Sequence, residues 1–547
     1  MKKITRLWHG ITEAGRADEY LKHPENNSLR DYKTIEVNNA PYVMVKKFFF
    51  YCLIFSLLSP HFVWAQSLIT QQAIRDRIAF LASDQMKGRF PGTKESWKCA
   101  LFIRTNFETA GLRPVGKHYF QYFYPTVKID TGKKNLLKFD SFNGRLIRDY
   151  IPLYFSARKC TLINKVIFCG YGLQFNNDTL ALDDYNGSSV TGKWVMILRG
   201  LPERFSKNHT LRDSATDYAK AKIAIQNGAA GIIFVNNEEL AGKKTEATPN
   251  YDDLQRLRPR KTIALEVPVL QIKRAVADLL LQPQNKTIQQ LESLNEQPPF
   301  ELKPTVTSTV DIQAEKVKTA NVVGFIEGTD PELRNEYIVL GAHYDHLGMG
   351  GYGTGSLQPD TFAIHNGADD NASGSAAIMT IGAQLAKDRQ LLKRSIIIVA
   401  FGAEEEGLLG SEYFTEHPPV PIEKIKVMIN LDMVGHLDEQ KELYIGGCGT
   451  FAQGVPLLDS LKKDSGLKVY VIPGGVGGSD HVSFYRKNIP VLGMHTGGHP
   501  EYHTPQDDLD TLNIPGEEKV CDFVYKAIKE IANITGKIEF IKQGDRD

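Results

Sequence analysis

The stretch YIVLGAHYDHLG, residues 337–348, runs from apolar residues directly into a histidine and an aspartate. Three similar apolar runs follow it, SIIIVAFGA at 395–403, KVMINLDM at 426–433 and PVLGMHT at 490–496. Helical patterns lie between the runs, at 373–388 and 407–415. Apolar strands that alternate with helices are typical of a sheet covered on both faces. The sequence therefore predicts an α/β fold with a mixed, mostly parallel central sheet flanked by helices.

Each predicted strand leads into side chains that can bind a metal ion. They are His343 and Asp345, Asp369 and Asp370 before the first helix, Glu404, Glu405 and Glu406, then Asp432, and finally His499 and His503. In open α/β sheets, ligand sites form beyond the carboxyl ends of the strands. Mixed imidazole and carboxylate ligands suit zinc, with manganese and cobalt as alternatives. The carboxylates outnumber those that one zinc ion uses, which predicts two ions sharing a bridging carboxylate.

The spacing within two pairs of these residues suggests that the members of each pair have different roles. His343 and Asp345 are two residues apart at a strand end, so both can point to one side, and a carboxylate there can hold the second imidazole nitrogen. Glu404 and Glu405 are adjacent and cannot point the same way. One can bind a metal while the other takes a proton from water. The sequence pattern alone does not show which of Glu404 and Glu405 binds the metal and which takes the proton.

Five ordered motifs, GAHYDHLG, NGADDNASG, FGAEEEGLLGS, NLDMVG and YHTPQDD, resemble the zinc aminopeptidase family of the bacterial aminopeptidase S and vibrio leucyl aminopeptidase type. The match covers residues 66–135 and 319–540. The resemblance implies two Zn²⁺ ions with five ligands: Asp370 as the bridge, His343 and Asp432 on one ion, and Glu405 and His503 on the other. It also implies that Glu404 is the general base for a bridging water that attacks as hydroxide, that Asp345 supports His343, and that Tyr502 polarises the scissile carbonyl.

Some of these assignments have close alternatives. Asp369 precedes Asp370, and His499 lies four residues before His503; motif alignment favours the second member of each pair. We interpret His346, His365 and His481 as loop or supporting residues rather than ligands. Glu406 is interpreted as an acid at a helix N-terminus, where the helix dipole favours it.

The middle of the chain has a second resemblance. DDYNGSSVTGKWVMILRG at 183–200 and AKAKIAIQNGAAGIIFVNN at 219–237 resemble the protease-associated (PA) domain that is often inserted into these peptidases. We expect a β-rich α+β PA domain at 136–300, inserted into a catalytic domain formed by 66–135 and 301–547. The segment 298–315, polar and β-leaning, is expected to be a connector.

Residues 44–65 have the composition of a secretory signal peptide: a methionine, two lysines, an apolar run and small residues before the cleavage site. Polar residues and Pro60 interrupt the run, which disfavours a membrane span. We expect export to the periplasm or the medium, without stable membrane association after cleavage. Translation is expected to begin at Met44, with residues 1–43 a non-native or disordered extension.

The amino-acid composition limits the binding partners and the disulfide bonds that we expect. Lysine and arginine number 65 against 64 aspartates and glutamates, so charge gives no reason to expect nucleic acid. Six cysteines, one of them inside the signal, do not form a disulfide framework. Cys160 and Cys169 are the nearest pair for a single bridge.

The predicted function is hydrolysis of the N-terminal bond of peptides with a free amino group. A carboxypeptidase of the glutamate carboxypeptidase type would share the metal ligands and the inserted domain. A glutaminyl cyclase would use one zinc, and a binding protein similar to transferrin receptor would have lost ligands; the complete set argues against both. The sequence leaves the preferred side chain, the native metal and the oligomeric state open.

Overall fold

The computed structural model describes residues 67–543 apart from 177–179, 188, 206–207, 209–210, 212–214, 243–251, 256–263, 295–297 and 352. The predicted extension at 1–43 and the predicted signal peptide at 44–65 lie outside the described residues. In the part of the chain that is described, no helix combines the length and the apolar character needed to cross a bilayer.

Twenty strands occur among the described residues. In chain order they are β1 Arg113–Pro114, β2 Phe120–Phe123, β3 Thr126–Thr131, β4 Leu136–Phe139, β5 Phe142–Asn143, β6 Tyr150–Pro152, β7 Lys159–Phe168, β8 Gln174–Asn176, β9 Ala181–Asp183, β10 Trp194–Leu198, β11 Gly231–Val235, β12 Val269–Ile272, β13 Phe300–Lys316, β14 Thr319–Ile326, β15 Tyr337–His343, β16 Ser395–Phe401, β17 Ile425–Leu431, β18 Glu442–Gly446, β19 Lys468–Ile472 and β20 Val491–His495.

The helices of the same residues are α1 Gln71–Leu81, α2 Lys94–Thr109, α3 Asp217–Gln226, α4 Glu238–Ala241, α5 Arg274–Leu281, α6 Ile288–Glu292, α7 Gly374–Lys387, α8 Leu409–Glu416, α9 Gly454–Leu461, α10 His481–Tyr485 and α11 Ile514–Ala532. Threonine side chains set where α1 and α2 begin, because Thr70 accepts a hydrogen bond from the Ala73 amide and Thr93 from the Ser96 amide.

The first sheet has nine strands in the order β1-β14-β16-β15-β17-β20-β18-β19, with β2 beside β14. Its centre, β16, β15, β17 and β20, is parallel, while β14 and β18 run antiparallel to their neighbours in that centre. Alternate residues of β15 enter different cores: Ile338 and Leu340 pack with helices on one face, and Val339 packs on the other. The mixed α/β fold with both faces covered is confirmed.

The second sheet also has nine strands, in the order β5-β4-β13-β7-β10-β11-β12-β6, with β3 beside β13. The expectation that 298–315 is a connector is wrong, because β13 is a 17-residue strand that pairs with β3, β4 and β7. Its buried residues alternate along the chain, as in a strand with one covered face. Since β3 begins at 126 and β13 ends at 316, we propose 126–316 as the extent of the inserted domain, in place of 136–300.

The one bridge that the sequence suggested as possible, between Cys160 and Cys169, does not form; both are free. Cys160 lies at the start of β7 and Cys169 directly after its end. Nine residues of extended chain span about 30 Å, which separates the two sulfur atoms far beyond bonding reach.

Candidate metal centre

The five predicted ligands come from the carboxyl ends of the parallel strands. His343 ends β15, Glu405 follows β16 and Asp432 follows β17. Asp370 lies in the segment Ala368–Ser373 that leads into α7, where its own backbone is not helical, and His503 belongs to the loop after β20. Because these strand ends share one edge of the sheet, side chains up to 160 residues apart in sequence can meet there.

The side chains do meet. Nε2 of His343 lies 3.2 Å from Asp370 Oδ1 and 3.4 Å from Asp432 Oδ1. Nε2 of His503 lies 3.0 Å from Asp370 Oδ2 and 3.3 Å from Glu405 Oε2. Asp370 therefore offers one oxygen to each of two groups of donors, which is the arrangement of a carboxylate that bridges two metal ions.

The charge balance of the cluster calls for cations. Within the described residues, no lysine or arginine forms an ion pair with these carboxylates, and the buried Asp432 Oδ1 has no hydrogen-bond partner. Burial lowers the pKa of His503, but hydrogen bonds to Asp370 and Glu405 outweigh it and raise that pKa to about 11. Uncompensated buried carboxylates are costly, and mixed imidazole and carboxylate donors suit zinc. The residues present thus fit divalent metal ions.

Glu404 faces the same cluster but belongs to neither of the two groups of candidate ligands that Asp370 connects. Its Oε2 lies 4.0 Å from His343 Nε2. Burial is the main reason that the pKa of Glu404 is raised well above its usual range, and the nearby carboxylate of Asp480 adds to the effect. Asp480 ends the glycine-rich segment 474–480 and is itself buried, which raises its pKa to about 7. A carboxyl group with a raised pKa can exchange a proton near neutral pH.

Asp345 supports the cluster in a different way from the one expected. Its carboxylate lies 3.9 Å from His343 Nδ1, whereas its backbone carbonyl oxygen lies at 3.3 Å from that nitrogen. The carboxylate instead accepts the backbone amides of Glu404 and Glu405, at 3.0 and 3.3 Å. Asp345 thereby holds the turn that carries the two glutamates.

Tyr502 stacks on the imidazole of His503, with 3.9 Å between ring centroids. Burial raises the pKa of its phenol, so the hydroxyl keeps its proton as a donor. Tyr502 therefore lies beside the group of candidate ligands that contains His503.

The alternatives to the predicted ligands lie elsewhere. His499 Nε2 lies 3.2 Å from Asp369 Oδ2, and Asp369 Oδ1 accepts the Gly435 amide at 2.7 Å. His499 also stacks in parallel on His436, with 4.3 Å between centroids. Since the lone pairs of parallel rings do not converge, the group formed by His436, His499 and Glu501 is poorly arranged for a metal ion.

Three further buried residues hold the cluster, and sequence reasoning missed two of them. His346, interpreted as a loop or supporting residue, has a supporting contact: its Nδ1 lies 2.7 Å from Glu405 Oε1. Asp507 accepts the backbone amides of Asp369 and Asp370. The Arg89 guanidinium donates to Tyr344 and Gly367 carbonyl oxygens. No local pattern signals such contacts, because each partner lies far away in sequence or shares a motif with stronger candidates.

Comparison with known proteins agrees with this geometry. Residues 321–528 match the model of peptidase family M28, and residues 163–280 match the model of the PA domain. The resemblance seen in the motifs is thereby confirmed, over residues 321–528 for peptidase family M28 and over residues 163–280 for the PA domain.

Aminopeptidase YwaD of Bacillus subtilis (strain 168) is 26% identical over 351 residues, which cover 61% of this chain and 64% of that protein. Leucine aminopeptidase 2 of Trichophyton equinum is 28% identical over 204 residues, 36% of this chain and 37% of that protein. The chain thus spans less than two thirds of the length of both relatives. The aminopeptidase from Aneurinibacillus sp. strain AM-1 shares the fold, with a TM-score of 0.52 at 21% identity over 84% of this chain and 93% of that one.

Proposed function

We propose that the chain is a zinc-dependent aminopeptidase that removes the first residue from peptides with a free amino terminus. The observation that carries the proposal is Asp370, whose two oxygens face His343 and His503 at 3.2 and 3.0 Å. The relatives named aminopeptidase support the choice of reaction.

Two zinc ions would be held by His343, Asp370 and Asp432 on one side and by Asp370, Glu405 and His503 on the other. Bound there, zinc supplies a lowered pKa for water, near ~7, and polarises the carbonyl oxygen. His346 and Asp345 keep Glu405 and its turn in place through the contacts described above.

Glu404 takes the proton of the attacking water and returns it to the leaving amine. Its carboxylate faces the atoms that would bind zinc but belongs to neither group of proposed ligands, as a general base requires. Tyr502 donates a hydrogen bond to the carbonyl oxygen as negative charge develops on it, in the manner of an oxyanion donor.

The test of the base is Glu404→Gln. The variant should bind zinc like the wild type and lose at least ~10²–10⁴-fold in kcat on leucyl-p-nitroanilide. Glu332→Gln is the matched control, because Glu332 is exposed and lies before β15, at the opposite edge of the sheet. A zinc-loaded Glu404→Gln variant with near-normal kcat would exclude this role.

An aminopeptidase recognises the free amino terminus of its substrate, whereas a carboxypeptidase of the glutamate carboxypeptidase type recognises the free carboxyl terminus. We expect hydrolysis of Leu-Ala-amide and none of N-acetyl-Leu-Ala. The reverse pattern would establish the carboxypeptidase. Zinc analysis of the same samples should give two ions per chain, and one ion would favour the glutaminyl cyclase alternative.

We also propose that the enzyme acts after export, with residues 44–65 as the signal. N-terminal sequencing of protein from the periplasm or medium should begin at Gln66. A mature chain that contains residues 1–43 would contradict both the signal and the start at Met44.

A further inference from the structure

A cavity of about 460 Å³ lies between the two sheets, within the range of about 300–1,000 Å³ that is typical of ligand pockets. One wall is formed by the loops 90–93 and 353–354 of the catalytic part. The other wall is formed by residues 127–130 of β3 and by Glu315 and Val317 at the end of β13. Both the peptidase domain and the inserted domain therefore shape this space.

Two lining segments continue directly into the candidate metal centre. Glu406, which lines the cavity, follows Glu405. Thr354, which also lines it, precedes Gly355, whose carbonyl oxygen lies 3.1 Å from His503 Nδ1. An extended peptide advances about 3.3–3.6 Å per residue, so a substrate whose first bond lies at the metals can reach the cavity within a few residues.

Glu406 determines the chemistry of the cavity. The residue is only 9% exposed, and it forms no hydrogen bond or ion pair with any described residue. A cation bound in the cavity would give this carboxylate the charged partner that it lacks among the described residues. The sequence-based interpretation of Glu406 as a helix N-terminal acid does not describe its position, because α8 begins only at Leu409.

The remaining lining matches a long cationic side chain. Asp130 and Glu315 add two carboxylates against one lysine, Lys128, whose Nζ already lies 3.9 Å from Asp130 Oδ2. The lining also includes the apolar residues Phe90, Pro91, Val127 and Val317, whereas the side chain of Ile129 packs in the core of the second sheet. Lysine and arginine bury their aliphatic stems on such surfaces while the charged end finds a carboxylate.

We propose that this cavity binds a lysine or arginine side chain of the peptide on the carboxyl side of the cleaved bond. The inference rests on the proposed aminopeptidase function and names its substrate class. A single released residue needs only the space at the metals, whereas the rest of the peptide needs a surface beyond them. The enzyme should accordingly select peptides whose second or third residue is basic.

The test compares kcat/KM for Leu-Lys-Ala-amide, Leu-Met-Ala-amide and Leu-Glu-Ala-amide, together with the series in which Lys, Met or Glu is the third residue. The zinc-loaded wild type should prefer lysine over methionine about tenfold at one of these positions, the effect of a partly buried charge pair. Glu406→Gln should reduce this preference below about threefold through KM, and Glu406→Lys should favour glutamate. Glu315→Gln should weaken the preference to a lesser degree, because Glu315 is exposed.

The control Glu332→Gln should keep the wild-type preference. Equal kcat/KM for lysine and methionine at both positions in the wild type would overturn the proposal while leaving the aminopeptidase intact. A lysine preference that survives undiminished in folded Glu406→Gln would overturn it as well. Failure of the zinc-loaded wild type to hydrolyse any of the peptides would instead refute the proposed function.

Discussion

At the scale of single residues, Asp507 controls the position of the proposed bridging ligand. Three successive amides donate to it: Ala368 to its carbonyl oxygen at 3.0 Å, and Asp369 and Asp370 to its two carboxylate oxygens at 2.8 and 3.0 Å. Asp507 is fully buried. The carboxylate thus fixes the peptide on which Asp370 is mounted.

Asp507→Asn should weaken zinc binding about 10–100-fold, as expected when a residue that orients a ligand is changed. An amide side chain has only one oxygen, so one of the two backbone amides loses its acceptor. Zinc titration against a competing chelator measures the effect. Asp510→Asn, at an exposed neighbouring position, is the control. Unchanged zinc affinity in folded Asp507→Asn would show that Asp507 has no orienting role.

Lys220 of α3 is a second buried charge, in the inserted domain. Its Nζ donates to the carbonyl oxygens of Leu198 and Gly200, at 2.9 and 2.5 Å. Burial lowers its pKa from 10.5 to about 7, against the opposing effect of Asp217 and Asp184. At pH values between about 7 and 10.5, Lys220 is protonated in the unfolded chain but has lost its proton in the folded chain. Stability therefore rises with pH across this window.

Relative to Lys220→Met, the wild type should gain roughly 1–2 kcal/mol in free energy of unfolding between pH 7.5 and pH 9.0, up to about 1.4 kcal/mol per pH unit. Urea unfolding at several pH values checks this. Lys222→Met changes an exposed lysine of the same helix and should follow the wild type. Parallel pH profiles for wild type and Lys220→Met would contradict the assignment.

At the scale of elements, Arg89 ties the N-terminal segment to the loops of the metal centre. The fully buried guanidinium donates to the carbonyl oxygens of Leu81, Tyr344, Asn366 and Gly367. These oxygens belong to α1, to the loop after β15 and to the loop before α7. One side chain therefore joins three elements that no strand pairing connects.

Arg89→Met should lower the free energy of unfolding by about 3–5 kcal/mol, because several buried carbonyl oxygens lose their donor. Arg104→Met is the control: Arg104 forms an exposed pair with Glu108 at 2.8 Å, which contributes no more than about 1 kcal/mol. Chemical unfolding of both variants gives the comparison. Equal losses would mean that the buried contacts do not stabilise the junction.

The elements also show where a local pattern succeeds. β15 and β16 are apolar along most of their length, and the predicted helix at 373–388 begins and ends within one residue of α7. The segment of β13 was recognised as β-leaning but interpreted as a connector, because Pro304 and the serine and threonine residues conceal the period of its buried residues, Leu302, Val306, Val310 and Ile312. Its partners β3, β4 and β7 all lie more than 130 residues earlier in the chain, so no local pattern around β13 can reveal the pairing.

At the scale of the whole molecule, the proposed metal ions would cross-link five separate segments. Residues 343, 370, 405, 432 and 503 come from different loops of one sheet edge. Ligands that bind only the folded state stabilise it in proportion to their occupancy, about 2.7 kcal/mol at a hundred times Kd.

Removing metal with a chelator should therefore lower Tm by several degrees, and adding zinc back should restore it. Differential scanning calorimetry measures both steps. Asp370→Ala removes the proposed bridge, so its melting should respond little to the chelator. A wild-type Tm that is the same with and without chelator would argue against zinc bound at this edge.

The sequence by itself determined the α/β class, the alternation of strands and helices in the last third of the chain and the set of candidate metal ligands, because periodicity and strand-end composition are local properties. Only the tertiary structure decided which oxygens face which imidazoles, that Asp345 holds a turn rather than a ring nitrogen, and that Asp507 and Arg89 support the loops. The supporting contacts join residues far apart in sequence, by 59 positions for Asp345 and Glu404, 138 for Asp507 and Asp369, and 255 for Arg89 and Tyr344. Their partners are selected by the packing of the whole sheet edge, which no short stretch of sequence encodes.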